Sequence, residues 1–254
     1  MPVATPTTPT TPTTPTTSTP GTIGAAADAT HAAGDSVATA ASTPADQIPN
    51  PEFVVPADDA TIERTVEALM AKGYVVHVAE TAAEARQLLV GLVPDGAEVS
   101  QGASETLEHL GVTDVIEHSG RFDAVRPRTR AMDRTTPEGV RAMRKLGASP
   151  DYYLNSVHAL VEDGTLVIAS NTGSQLGPIA FGAGQVIFAI GTHKIVPNLA
   201  TAFRRIEERS LPLEHARMQK LYGINSAVNK ILIVTREFRP GRFTIVLVKE
   251  LVGA

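Results

Sequence analysis

Glu162-Asp163-Gly164-Thr165-Leu166-Val167-Ile168-Ala169-Ser170-Asn171-Thr172-Gly173-Ser174-Gln175 and, further on, Val186-Ile187-Phe188-Ala189-Ile190-Gly191-Thr192-His193-Lys194-Ile195-Val196-Pro197 decide the fold. Each contains an apolar run, residues 166–169 and 186–190, closed by small and hydroxyl-bearing residues. Continuous apolar runs of this length read as strands buried on both faces, and their polar ends present backbone N–H groups to a ligand. The glycines tolerate close backbone approach, while Asn171, Thr172, Ser174 and Gln175 supply neutral hydrogen-bonding groups.

Working outward, helical and extended patterns alternate. Asp58 or Asp59 caps a helix running to about residue 72, with Ile62, Val66 and Leu69 at helical spacing. A strand follows at 74–78, then a helix over 82–89 with Thr81 and Glu84 at capping-box spacing. A strand at 97–100 enters Gln101-Gly102-Ala103-Ser104 and a helix start at 105–110. That turn has two readings: an anion site built on Gly102, Ser104 and Thr106, or an ordinary tight strand-to-helix turn. Residues 114–118 read as a short strand, 151–159 as another, and 198–209 as an amphipathic helix with Arg204, Arg205, Glu207, Glu208 and Arg209 off its apolar face. A helix at about 212–221 precedes two apolar strands, 231–235 and 243–248, joined at a hairpin turn by Pro240-Gly241. The alternation predicts an α/β domain in three layers, a mostly parallel mixed sheet flanked by helices, with ligands beyond the carboxyl ends of the strands.

Composition bounds the rest. Residues 1–56, rich in Thr, Pro and Ala, contain few large apolar side chains and read as a disordered N-terminal extension, which leaves 57–254 as one domain. The formal charge of −5 is concentrated in Asp28, Asp35, Asp46 and Glu52 of that extension, so the domain is nearly neutral and no nucleic-acid partner is expected. Between Arg121 and Lys145 the chain is basic, which reads either as a patch for an anionic partner or as a loop and a solvated helix started by Thr136 and Pro137. Cysteine is absent, which excludes disulfides, thiol nucleophiles and an iron–sulfur cluster held by this chain. The histidines show no ligand-like pairing, so no metal is expected, and no cofactor is named. No apolar stretch is long enough to span a bilayer and no leader pattern opens the chain, so a cytoplasmic protein without membrane association is expected.

The segments Val161-Glu162-Asp163-Gly164-Thr165-Leu166-Val167, Asn171-Thr172-Gly173-Ser174-Gln175 and Gly191-Thr192-His193-Lys194-Ile195-Val196-Pro197 resemble the LUD (lactate utilisation) domain family, in the same order and at matching intervals. Gly102-Ala103-Ser104-Glu105-Thr106-Leu107 resembles that family's upstream turn, so the similarity spans residues 57–254. The resemblance implies a fold related to ribose-phosphate isomerases and CoA-transferases. It also implies an accessory role in bacterial lactate or organic-acid utilisation, with a small-anion or nucleotide pocket and iron–sulfur subunits as partners. Two other classes stay open: a CoA-transferase- or sugar-phosphate-type enzyme, and a non-catalytic assembly module. Departures from the family pattern are the missing cysteine in residues 221–230, Gln175 in place of a frequent arginine, and His158 and His193 in place of asparagine.

Individual residues carry paired readings. Glu162 is the candidate catalytic carboxylate, a nucleophile by analogy with CoA-transferases, or else part of a hairpin turn. Lys194 neutralises a bound carboxylate or phosphate near Gly191, or has a helix-capping or surface ion-pair role. His158 is a general base, or a histidine hydrogen-bonded at a strand end.

Overall fold

The structure, a computed structural model, describes residues 48–254. The proposed disordered extension lies, through residue 47, outside these residues. The main sheet has six strands: β1 (Val75–Ala79), β2 (Glu98–Gln101), β3 (Asp123–Ala124), β4 (Tyr152–Asn155), β7 (Gln185–Gly191) and β10 (Phe243–Val248), in the order β1-β10-β7-β4-β2-β3. Every pairing in it is parallel. Parallel pairing needs crossovers, and the helices that supply them cover the faces. Along β7 and β10, Val186, Phe188, Ile190, Phe243, Ile245 and Leu247 point into one core, while Ile187, Ala189, Val246 and Val248 point into the other. That double burial is why both strands read as unbroken apolar runs.

One face is closed by α2 (Ala82–Gly91), α3 (Glu105–His109) and α4 (Val112–His118), through Ala85, Leu89, Leu107, Val112 and Ile116. The other is closed by α1 (Asp59–Ala71) and a second sheet of β5 (Ala159–Val161), β6 (Leu166–Ser170), β8 (Ile195–Val196) and β9 (Lys230–Val234), ordered β8-β5-β6-β9. The fold is thus a three-layer α/β arrangement about a parallel sheet. Its caps follow the sequence: Asp58 accepts from Thr61 N–H at 2.8 Å and Thr81 from Glu84 N–H at 3.2 Å. The Glu84 carboxylate reaches back to the N–H of Glu80 at 2.9 Å, one residue before the cap.

Four expectations are corrected. Residues 114–118 belong to helix α4, not a strand, because Val112 and Ile116, four apart, are the buried pair. The expected strand 151–159 divides at Ser156, with β4 in the main sheet and β5 in the second. β9 and β10 form no hairpin: the Pro240-Gly241 turn carries the chain from one sheet to the other. The two strands have incompatible surfaces, β10 being buried throughout while β9 is an edge with Ile231 40% exposed. Finally, α5 (Leu199–Arg205) and α6 (Leu211–Tyr222) are joined through a π turn at Ile206–Ser210 into one helical run, and Arg205, expected off the apolar face, is fully buried three residues on from buried Ala202.

Packed structure also begins before residue 57. A turn at Pro51–Val54, capped by Asn50, buries Phe53 against Ala159, Val161, Val196 and Ile206 on the far face of the second sheet. Asn50 N–H bonds Glu208 O at 2.9 Å, and the Arg204 guanidinium lies over the Phe53 ring at 5.7 Å. Phe53→Ala is therefore expected to cost about 3–5 kcal/mol in denaturant titration. A loss under 1 kcal/mol would remove this turn from the folded unit.

Candidate functional site

The carboxyl ends of β2, β4 and β7 lie side by side, and three polar side chains meet just beyond them. Thr106 comes from the first turn of α3, whose cap Ser104 accepts from Leu107 N–H at 3.3 Å. Ser156 comes from the bend where the chain leaves β4 for the second sheet. Lys194 ends the short turn Thr192–Lys194 after β7. Its Nζ donates to Thr106 Oγ1 at 3.0 Å and to Ser156 Oγ at 3.2 Å, and the two hydroxyls are 3.3 Å apart. All three are buried, Lys194 to 4% exposure.

Two glycines shape this cluster. A Cβ on Gly102 would lie 2.6 Å from Asn155 Oδ1, so the absence of a side chain lets Asn155 turn back to accept from Ser156 N–H at 2.8 Å. Asn155 Nδ2 also donates to Gln175 Oε1 at 3.1 Å, and Gln175 Nε2 to Ala169 O at 2.6 Å, which ties in the loop after β6. At Gly191 a Cβ would lie 2.5 Å from Cε1 of the buried His193 ring.

The charge balance is one-sided. Among the described residues no carboxylate lies within ion-pair distance of Lys194, and burial together with Arg205 pulls its pKa well below that of a free lysine, against a smaller opposing pull from Glu105. Arg205 donates to His158 O, to Ser210 Oγ at 3.2 Å and to Ala254 O at 3.2 Å, and among the described residues no Asp or Glu side chain pairs with it. Burial and the neighbouring Arg209 bring it down to about 9. His158 and His193 are held neutral by burial and by these cations, at about 3 and about 2. Nδ1 of His158 accepts the Ala169 N–H at 3.1 Å, which puts the ring proton on Nε2 and gives the imidazole a structural bond at this strand end.

The predicted site residues thus separate into groups. Gly102, Ser104, Thr106, Gln175, Gly191 and Lys194 all belong to the cluster or its walls. Asn171, Thr172, Gly173 and Ser174 form an outer loop: Asn171 accepts from Asn229, Thr172 Oγ1 bonds Ser174 Oγ at 3.1 Å, and Lys230 Nζ reaches Thr172 O at 3.1 Å. Gly173 there has φ +89°, and its N–H bonds Ser170 Oγ at 2.9 Å. Glu162 lies in the turn between β5 and β6, at the end of the β5/β8 pair opposite Lys194, with Arg64 3.5 Å from its carboxylate. Gly164, at φ +84°, lets this turn lie against the backbone of α1 at Ala68 and Leu69. Sequence reasoning missed Ser156, Asn155 and Arg205; the polar Asn155-Ser156 pair closing an apolar strand was the available signal for the first two, and the spacing of Arg205 three residues on from Ala202 was the signal for the third, against its charge.

Elsewhere, Arg121, Arg128 and Arg130 of the basic run are engaged in ion pairs. Arg128 meets Asp123 at 2.7 Å and Glu98 at 3.2 Å, Arg130 meets Glu117 at 2.6 Å, and Arg121 meets Asp95 at 2.7 Å. Among the described residues no three His, Asp or Glu side chains converge as metal ligands, and no helix is long and apolar enough to cross a membrane.

A three-layer α/β domain with a polar, cationic cluster at the carboxyl edge of its parallel sheet is the class these features define. The chain belongs to the LUD domain family, whose profile matches residues 62–248. A solved structure described as a DUF162 family protein from Deinococcus radiodurans is similar, at 10% identity over 76% of this chain and 99% of that one, with a TM-score of 0.49. No curated protein matches the sequence.

Proposed function

We propose that this LUD-domain protein binds a small carboxylate at Lys194, Thr106 and Ser156, as an accessory component of lactate or other organic-acid utilisation in the cytoplasm. One observation carries the reading. A buried ammonium needs a counter-charge, and Lys194 has two hydroxyls and two nearby arginines instead, so an incoming anion completes the site. The hydroxyls add the neutral donors that orient a carboxylate. With no cysteine in the sequence, iron–sulfur redox chemistry in such a system belongs to partner subunits. Glu162, in its turn beside Arg64, has a structural role in this reading.

Titration calorimetry with L-lactate, pyruvate and inorganic phosphate tests it. An anion beside Lys194 raises its depressed pKa, so binding is expected to take up a proton at pH values above the free-state pKa, seen as a heat that changes with the buffer's ionisation enthalpy. Absence of binding by all three acids would overturn the proposal.

A further inference from the structure

Residues 249–254 follow β10 without regular secondary structure and run across the Lys194 cluster. Val252 is buried in the core beside Leu107, and a Cβ on Gly191 would lie 3.2 Å from Val252 O. Gly253, at φ +74°, lies on Thr106 so closely that a Cβ would be 2.2 Å from Oγ1 and 2.8 Å from the backbone N. Its N–H donates to His109 Nδ1 at 3.1 Å, and the Ala254 carbonyl accepts from Arg205 at 3.2 Å. The segment therefore touches Gly191, His109, Arg205 and Thr106, the last of which bonds Lys194, and the Ala254 carbonyl takes a hydrogen bond from a fully buried arginine.

We infer that residues 251–254 are a strap that fills the ligand's place and gates access to Lys194. The inference rests on the carboxylate-binding reading above, and it adds that a ligand must release the strap, exchanging the Ala254 carbonyl on Arg205 for its own oxygen. The covering contacts suit that exchange. They comprise the burial of Val252, the close approach of Gly253 to Thr106 and two hydrogen bonds, one to His109, an exposed residue of α3, and one to Arg205; none is a strand pairing, so local opening does not require the sheets to unfold.

The strap is tested by the rate at which acetic anhydride acetylates Lys194, followed by peptide mass spectrometry, in the wild type, Gly253→Val and His109→Ala. A valine satisfies neither the positive φ nor the space beside Thr106, so Gly253→Val expels the strap, while His109→Ala only loosens it. Circular dichroism checks that each variant is folded, and His109→Ala carries the test if Gly253→Val is not. Acetylation of Lys194 is expected to rise about tenfold or more in Gly253→Val and by less in His109→Ala, as the open population grows. Unchanged rates in the folded variants would overturn the strap. Protection of Lys194 by added L-lactate, pyruvate or phosphate separates the two readings: faster labelling without protection sustains the strap and sinks the carboxylate site, whereas protection with rates insensitive to both substitutions does the reverse.

Discussion

Lys194→Met is expected to raise the melting temperature while abolishing any response to small acids. The amine is buried, meets no carboxylate among the described residues and is further repelled by Arg205 and Arg209, so the fold bears the cost of an unpaired cation or of its deprotonation. Methionine has similar length and flexibility and no charge. Replacing buried ionic groups by apolar ones of like volume often stabilises by about 1–4 kcal/mol. At roughly 2–4 °C per kcal/mol for a domain of this size, the shift is several degrees. Two hydrogen bonds are lost, but Thr106 and Ser156 retain each other at 3.3 Å. A lower melting temperature would show that Lys194 is a structural tie, and an undiminished calorimetric response to L-lactate or phosphate would place the ligand elsewhere.

Mild acid is expected to destabilise the protein through His158 and His193. Their folded-state values, about 3 and about 2, lie below the ordinary 6.5, so both stay neutral in the fold while the unfolded chain takes up protons. Stability from this source is therefore complete above about pH 6.5 and falls as pH drops, by about 1.4 kcal/mol per pH unit for each ring. At pH 5 the two together remove on the order of 4 kcal/mol. For His158, protonating Nδ1 also breaks the bond from Ala169 N–H. Urea titrations at pH 7 and pH 5 measure the loss, which should be smaller by that amount in a His158→Asn, His193→Asn variant. An equal loss in both proteins would show that these rings titrate normally. Lys194 works in the same direction in alkali, since its folded pKa also lies below its unfolded one and stability rises with pH between the two.

Local rules made much of the chain legible. Asp58, Thr81, Ser104, Thr136 and Asn198 all cap the helices that follow them, because a side-chain oxygen meeting an unpaired N–H needs only neighbouring residues. Doubly buried β7 and β10 were readable as apolar runs, and Gly102, Thr106 and Lys194 as the ends of strands or the start of a helix. Partnership was decided by the tertiary structure. Apolar strands close in sequence carry no label for which sheet they join, so β9 and β10 looked like a hairpin until burial on one side or two separated them. The same ambiguity hid the break at Ser156, whose crossing between sheets brings its hydroxyl to Lys194. The charge of Arg205 placed it outside, although it stands three residues on from Ala202 on the buried face; only the tertiary structure brought Ser210 and the strap carbonyl to its guanidinium. Charge at a site depends on which groups are absent nearby as well as on those present, and that is set by chain segments far apart in sequence.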